Sequence, residues 1–179
     1  GEETQLWGAD LAAGEACVLP GTHSKWAWMG AGGAVERFQT YMTGELYAVL
    51  VQHSILGRLM APGTDRPEAF ADGVRLGLAE QAHLTHLVFA ARTAGLMGQR
   101  DADELPDFLS GLLIGAEVGS ARQRGAPAVV TLLGEAALCD RYAVALQLAG
   151  LGVRAAPADA TTRGQWRLAR AAGLIKETA

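Results

Sequence analysis

Five consecutive residues between two apolar runs have the chemistry that an anion-binding turn needs. They are Gly21, Thr22, His23, Ser24 and Lys25. Glycine would let a phosphate approach the backbone closely, while two hydroxyls, an imidazole and an ammonium group could bind its oxygens. An ordinary polar hairpin turn explains the same residues, so the turn alone leaves both interpretations open.

An acidic pair, Glu2 and Glu3, comes directly before an apolar helical pattern. A carboxylate at the edge of a domain can act as a general base. Acidic residues are also favoured at the start of a helix, where they complement the helix dipole. Both interpretations apply to either glutamate.

A second candidate site lies near residue 135. Gly134 separates a predicted strand from a predicted helix that opens at Glu135 or Ala136. A glycine there would let a ligand approach the helix N-terminus, and Glu135 could accept from ribose hydroxyls or complement the helix dipole. Gly115 is the centre of three glycines spaced four apart, which predict either close helix packing or a flat wall for a nucleotide base.

Three further residues are candidates for substrate contact. Thr43 is predicted to cap a helix, with Glu45 in its first turn, and both could also touch a substrate. Arg92 lies in an apolar run, and a buried guanidinium needs an anionic partner, either an internal carboxylate or a ligand acid. His83 and His86 have no third ligand nearby, so we predict no metal site from these residues.

The composition limits the class of protein. The chain has 179 residues, half of them hydrophobic, and a formal net charge of −4, so neither nucleic acid nor an anionic membrane is an expected partner. No apolar run is long enough for a transmembrane helix. Cys17 and Cys139 lie in apolar contexts and are expected to be buried free thiols in a reducing cytoplasm. The missing initiator methionine suggests a piece of a longer protein.

The predicted elements alternate in an order typical of a mixed sheet. Strands are predicted at 16–19, 25–29, 35–39, 128–133 and 152–156, and helices at 4–11, 43–56, 67–82, 86–98, 104–124, 135–149 and 161–172. The order is β-β-β-α, a helical insert at about 61–125, then β-α-β-α. We therefore expect one α/β domain, with a mixed sheet that matches half of the ribonuclease-H-like fold of actin-like ATPases and sugar kinases.

Six stretches resemble the C-terminal part of the 2-dehydro-3-deoxygalactonokinase family. In chain order they read GEETQLWGA, VLPGTHSKW, FQTYMTGELYAVLVQHSILGRLM, FAARTAGLM, LSGLLIGAEV and LLGEAALCDRYAVAL. The resemblance extends over about residues 1–172. The combination of LPGTHSKW, MTGEL and LSGLLIGAE in this order is specific.

The resemblance implies an ATP- and Mg²⁺-dependent kinase that phosphorylates the 6-hydroxyl of 2-dehydro-3-deoxy-D-galactonate. Glu2 or Glu3 would then take the hydroxyl proton. Thr22, His23 and Ser24 would fall in the second phosphate loop of the family. Residues 134–136 would fall where this fold places its adenosine contacts. A separate hypothesis, which does not come from the family, is that Arg92 pairs with the substrate carboxylate.

One departure from the family's fold concerns the N-terminal lobe. Kinases of this fold open with a D-x-G-T-type loop that holds Mg²⁺ and phosphate, and these residues contain no such motif. We therefore expect a C-terminal kinase domain at 1–179 whose partner is its own N-terminal lobe, with most metal ligands on that lobe. Alone, the chain should be inactive. The alternative is a non-catalytic nucleotide-binding or interaction module.

Overall fold

A mixed sheet is the centre of the structure, a computed structural model that describes residues 1–175. Within that range it has five strands: β1 (Ala16–Leu19), β2 (Ser24–Met29), β3 (Val35–Tyr41), β4 (Val129–Leu132) and β5 (Gly152–Ala155). Their spatial order is β3-β2-β1-β4-β5. The first three strands are antiparallel neighbours, whereas β1, β4 and β5 run parallel. The predicted mixed sheet is confirmed.

The described range has seven α-helices. They are α1 (Glu2–Gly8), α2 (Thr43–His53), α3 (Pro67–Ala79), α4 (Leu84–Leu96), α5 (Leu105–Gln123), α6 (Ala136–Leu148) and α7 (Ala160–Ala171). The predicted order β-β-β-α, helical insert, β-α-β-α is confirmed. Most element boundaries differ from the prediction by one to three residues: α1, for example, begins at Glu2, and α2 ends at His53 instead of reaching Leu56. None of these helices is long and apolar enough to cross a lipid bilayer.

The residues of β1 and β2 alternate between two cores, one on each face of the sheet. Val18 and Trp26 belong to the cluster that packs against α3, α5 and α6. Cys17 and Ala27 belong to the cluster that packs against α1 and α7. All four residues of β1 are buried because the strand is central and covered on both faces.

The short helix α1 is held tightly against α7. A Cβ atom on Gly8 would lie 1.7 Å from Ala160 O, and one on Gly164 would lie 1.8 Å from Thr4 O. Only glycine allows this approach of the two backbones. The contact fixes α1, and hence its acidic first turn, relative to the carboxyl edge of the sheet.

The glycine stripe of α5 lies inside the contact with α3. A Cβ atom on Gly111 would lie 2.0 Å from Phe70 O, and one on Gly115 would lie 2.4 Å from Val74 O. Gly115 is buried in this contact and does not line the principal cleft. We therefore assign Gly115 to helix packing, which corrects the prediction of a nucleotide contact.

Candidate active site

The principal cleft of the described residues lies at the carboxyl ends of β1 and β4. It has a volume of about 930 Å³ and opens between α1, the turn after β1, the end of β4 and α7. The parallel strands β1 and β4 are neighbours, so their carboxyl ends meet at one edge of the sheet. That edge is where open α/β sheets bind ligands.

The turn that joins β1 to β2, Pro20–His23, forms one wall of this cleft. Thr22 and His23 are exposed. No atom lies within 4 Å of the place where a Cβ atom on Gly21 would be. The backbone there is open to an approaching oxygen atom, as the anion-binding interpretation requires.

Ser24 does not belong to the cleft. Strand β2 begins at Ser24, one residue earlier than predicted, so the period of two along the strand sends Ser24 and Lys25 to opposite faces. Ser24 is fully buried, and its Oγ donates to Glu117 Oε1 at 2.7 Å. The prediction that Ser24 binds phosphate is therefore wrong.

Lys25 lines the cleft and pairs with Glu2 across it. The distance from Lys25 Nζ to Glu2 Oε1 is 2.9 Å. The hydrogen bond from Lys25 holds the pKa of the Glu2 carboxyl below its usual range, and the backbone and the Lys25 charge act in the same direction. Glu3 lines a separate apolar pocket beside Trp7 and Val35. Of the two candidate bases, only Glu2 faces the cleft.

The start of α2 supports the turn from behind. A Cβ atom on Gly44 would lie 2.6 Å from Gly21 O, and Glu45 N donates to Thr22 O at 2.9 Å. The Glu45 carboxylate pairs with His23 Nε2. Glu45 therefore contacts the predicted phosphate-binding turn and is not itself among the residues that line the cleft.

Thr43 has a different role from the one predicted. The N-cap of α2 is Met42, and Thr43 is the first helical residue. Its hydroxyl donates to Glu117 Oε2. The predictions that Thr43 caps the helix and contacts substrate are replaced by a contact with a buried carboxylate.

Glu117, on α5, is the polar centre that the sequence analysis missed. Its side chain is almost fully buried. It accepts from Ser24 and Trp26 on Oε1 and from Thr43 and Tyr142 on Oε2. Burial raises the pKa of the Glu117 carboxyl, and the four donors oppose that shift. A single acid within the apolar run LSGLLIGAEV was the available signal.

The second candidate region lies at the N-terminus of α6. Gly134, Glu135 and Ala136 line a neighbouring cavity of about 510 Å³, and Gly134 also lines the principal cleft. Glu135 is the N-cap of α6, and its carboxylate accepts from Ala137 N and Leu138 N at 3.1 Å each. Helix capping is sufficient to explain why a glutamate occupies position 135. A contact between Glu135 and the ribose of a nucleotide stays a prediction.

Arg92 lies on α4, in the helical insert. Its Nη1 donates to Ile55 O at 2.8 Å, and the side chain is only partly buried. It does not line the principal cleft. The expected anionic partner is thus replaced by a backbone carbonyl, and the assignment of Arg92 to the substrate carboxylate is not supported by its position.

The residues of the cleft fit an anionic ligand better than a metal ion. Lys25, His23 and the open backbone at Gly21 meet at one wall. Within residues 1–175, no group of three or more His, Cys, Asp or Glu side chains is placed to hold a metal ion. The residues along this wall of the cleft therefore suit phosphate oxygens.

A family model and two curated relatives match this chain. The model described as 2-keto-3-deoxy-galactonokinase matches residues 1–168. The 2-dehydro-3-deoxygalactonokinase of Escherichia coli (strain K12) is 40% identical over 161 residues, which are 89% of this chain and 54% of the relative. A Rhizobium meliloti (strain 1021) protein named "Probable 2-dehydro-3-deoxygalactonokinase DgoK1" is 40% identical over 170 residues, 91% of this chain and 55% of that protein.

A solved structure agrees with these matches. It is the crystal structure of a candidate 2-dehydro-3-deoxygalactonokinase from Sinorhizobium meliloti, with 38% sequence identity and a TM-score of 0.85. The match covers 98% of this chain and 60% of that one. This chain thus spans little more than half the length of the curated relatives and three fifths of the solved chain.

Proposed function

This chain belongs to the 2-keto-3-deoxy-galactonokinase family, and on that premise we propose that it takes part in ATP-dependent phosphorylation of 2-dehydro-3-deoxy-D-galactonate at the 6-hydroxyl. One structural observation supports this proposal for the present chain. Glu2 and Lys25 face the open turn at Gly21 within one cleft, at the carboxyl edge of the sheet.

In the proposed reaction, the wall of the cleft holds the phosphoryl oxygens. Gly21 allows close approach to the backbone, while Thr22, His23 and Lys25 supply a hydroxyl, an imidazole and a positive charge. Phosphoryl transfer relies mainly on positioning and on neutralising charge, so this wall would contribute by orienting the anion.

Glu2 would accept the proton of the sugar hydroxyl. Its depressed pKa keeps the carboxylate ionised at neutral pH, when it is able to accept a proton. A carboxylate paired with a lysine is a weak base. That suffices where the transition state is loose and the hydroxyl proton leaves late.

Gly134, Glu135 and Ala136 would contact the adenosine of ATP. The cavity beside them shares Gly134 with the principal cleft, so one extended ligand could occupy both spaces. When bound, ATP supplies the phosphoryl group. Within residues 1–175, no cluster of three or more His, Cys, Asp or Glu side chains is available to Mg²⁺.

The test is a phosphorylation assay with ATP and 2-dehydro-3-deoxygalactonate, on this chain and on the full product of its gene. We expect activity from the full product and little or none from the 179-residue chain. Glu2→Gln in the full product should lower kcat at least a hundredfold, within the range of a lost general base. Glu3→Gln, the matched control, should stay within about threefold of wild type.

Two results would count against the proposal. An inactive full product that still binds ATP would favour a non-catalytic nucleotide-binding module. Equal losses for Glu2→Gln and Glu3→Gln would remove Glu2 from its proposed role while leaving the kinase reaction in place.

A further inference from the structure

The buried carboxylate of Glu117 joins elements that are far apart in the sequence. Ser24 and Trp26 belong to β2, Thr43 begins α2, and Tyr142 lies on α6. The three distances of ordinary length, from Ser24, Trp26 and Tyr142, are 2.7 to 2.8 Å. A buried ionised group is tolerated only when its oxygens are well hydrogen-bonded, and here each oxygen has two donors.

Two of these donors belong to one unit on the wall of the cleft. We call residues 21–24 and 43–45 the turn–helix unit. Gly44 touches the backbone of the turn, Glu45 N donates to Thr22 O, and the Glu45 carboxylate pairs with His23. Ser24 ends the turn and Thr43 begins the helix, and both donate to Glu117. The contacts therefore form a closed ring with Glu117 at its base.

We propose that Glu117 is a positioning residue: acting through Ser24 and Thr43, it fixes the turn–helix unit and so sets where His23 lies in the cleft. The inference deepens the proposed function, on which it rests for the phosphoryl ligand that His23 would meet. The placement of His23 itself does not depend on that ligand. No direct contact between Glu117 and ligand is involved, because the carboxylate is enclosed by its four donors.

A matched pair of variants at Thr43 separates this role from plain core packing. Tyr142 cannot serve as the control, because its hydroxyl donates to Glu117 Oε2 and also hydrogen-bonds with the Ser24 and Thr43 side chains of the turn–helix unit. Loss of the Thr43 hydroxyl would leave His23 in place if Glu117 were a core carboxylate with no positioning role. If Glu117 positions the unit, the loss would reach His23, and a serine that keeps the hydroxyl would prevent it.

The experiment compares Thr43→Val with Thr43→Ser in the 179-residue chain. Nitrogen chemical shifts of the His23 imidazole, assigned by their absence in His23→Gln, report whether its contact with Glu45 is kept. Calorimetric titration with ATP reports affinity. We expect Thr43→Val to move the His23 signals and to raise the Kd for ATP at least fivefold. Thr43→Ser, which keeps the hydroxyl that donates to Glu117, should leave the signals in place and change the Kd less than twofold.

The chemistry of the amide makes Glu117→Gln a rescue variant. Its oxygen can accept from Ser24 and Trp26, and its NH₂ group can donate to the hydroxyls of Thr43 and Tyr142. We therefore expect Glu117→Gln to keep the His23 signals near their wild-type positions, whereas Glu117→Ala should move them. If Thr43→Val does not fold, Ser24→Ala tests the second anchor with the same expectation.

Several results would overturn the proposal. One is equal behaviour of Thr43→Val and Thr43→Ser in both measurements. Another is a shift of the His23 signals with Glu117→Gln as large as with Glu117→Ala. A wild-type chain that binds no ATP would count against the proposed nucleotide site in this chain, and the His23 signals would still decide the positioning role.

Discussion

Replacing Gly44 with alanine should displace the turn that forms the wall of the cleft. The new Cβ atom would lie 2.6 Å from Gly21 O and 2.8 Å from the Cα atom of Thr22. An ordinary contact begins at 3.4 Å, so one backbone must move by at least about 0.8 Å. Both neighbours are backbone atoms, which cannot rotate away as a side chain can.

The size of this overlap determines how much stability Gly44→Ala should cost. Overpacking of this kind costs about 1–3 kcal/mol, and the gain in helix propensity at the second residue of α2 offsets less than about 1 kcal/mol of it. A net loss of about 2 kcal/mol corresponds to a drop in Tm of roughly 4–8 °C for a domain of this size. A shift of about 1 Å in a positioning group can lower a rate up to about a hundredfold.

Gly21→Ala is the matched control, because Gly21 lies on the other side of the same contact. A Cβ atom there meets nothing within 4 Å, so the Tm should stay within about 1 °C of wild type. Its methyl group would nevertheless occupy the space where a phosphate is proposed to approach. Calorimetry with ATP should thus show weaker binding for both variants, and thermal unfolding should show a loss for Gly44→Ala alone. Equal Tm values for the two variants would refute the reasoning.

Three other predictions concern the ion pair, the second cavity and the glycine stripe. Lys25 lowers the Glu2 pKa from 4.5, so their pairing stabilises the fold above about pH 4.5 and is lost as the pH falls through the lowered value. Lys25→Met should therefore reduce Tm slightly at pH 7, and this reduction should shrink as the pH is lowered below 4.5; a reduction that does not change with pH would contradict the prediction. Cys139 lines the cavity beside Gly134, so saturating ATP should slow the alkylation of Cys139, measured by mass spectrometry, at least threefold. Cys17 is buried and its thiol pKa is raised to about 12, so it should stay unmodified; an unchanged rate at Cys139 would place adenosine elsewhere. Gly115→Ala should lower the stability by about 1–3 kcal/mol in thermal unfolding, and an unchanged Tm would show that α3 and α5 separate easily.

The fold could be predicted from the sequence because its signals are local. The apolar period of two, the turn glycines and the helical periods identified all five strands and placed the helical insert. The boundaries of the strands and helices were less predictable. Serine is a residue type common in turns, yet Ser24 is the first residue of β2. Type alone does not reveal that a hydroxyl has a buried acceptor 93 positions away.

The residues that line the cleft could be predicted where one short segment contains several polar side chains. Gly21, Thr22, His23 and Lys25 do line the cleft, and Glu2 joins them. The long-range polar contacts were not predictable, since they depend on how α5 packs under β2. The four donors to Glu117 and the partners of Thr43 and Arg92 lie on elements far apart in the sequence, so only the folded structure identifies them.

The alternation of β2 has a consequence for how this segment can vary in length. Surface turns usually tolerate insertions and deletions. Here one added or lost residue between Pro20 and Ser24 would exchange the two faces of β2 if the strand, and not the turn, took up the change. Lys25 would then face the interior beside Glu117, and Ser24 would face the cleft. We therefore expect the number of residues in this turn to be as strictly constrained as their identity, with indels confined to loops elsewhere.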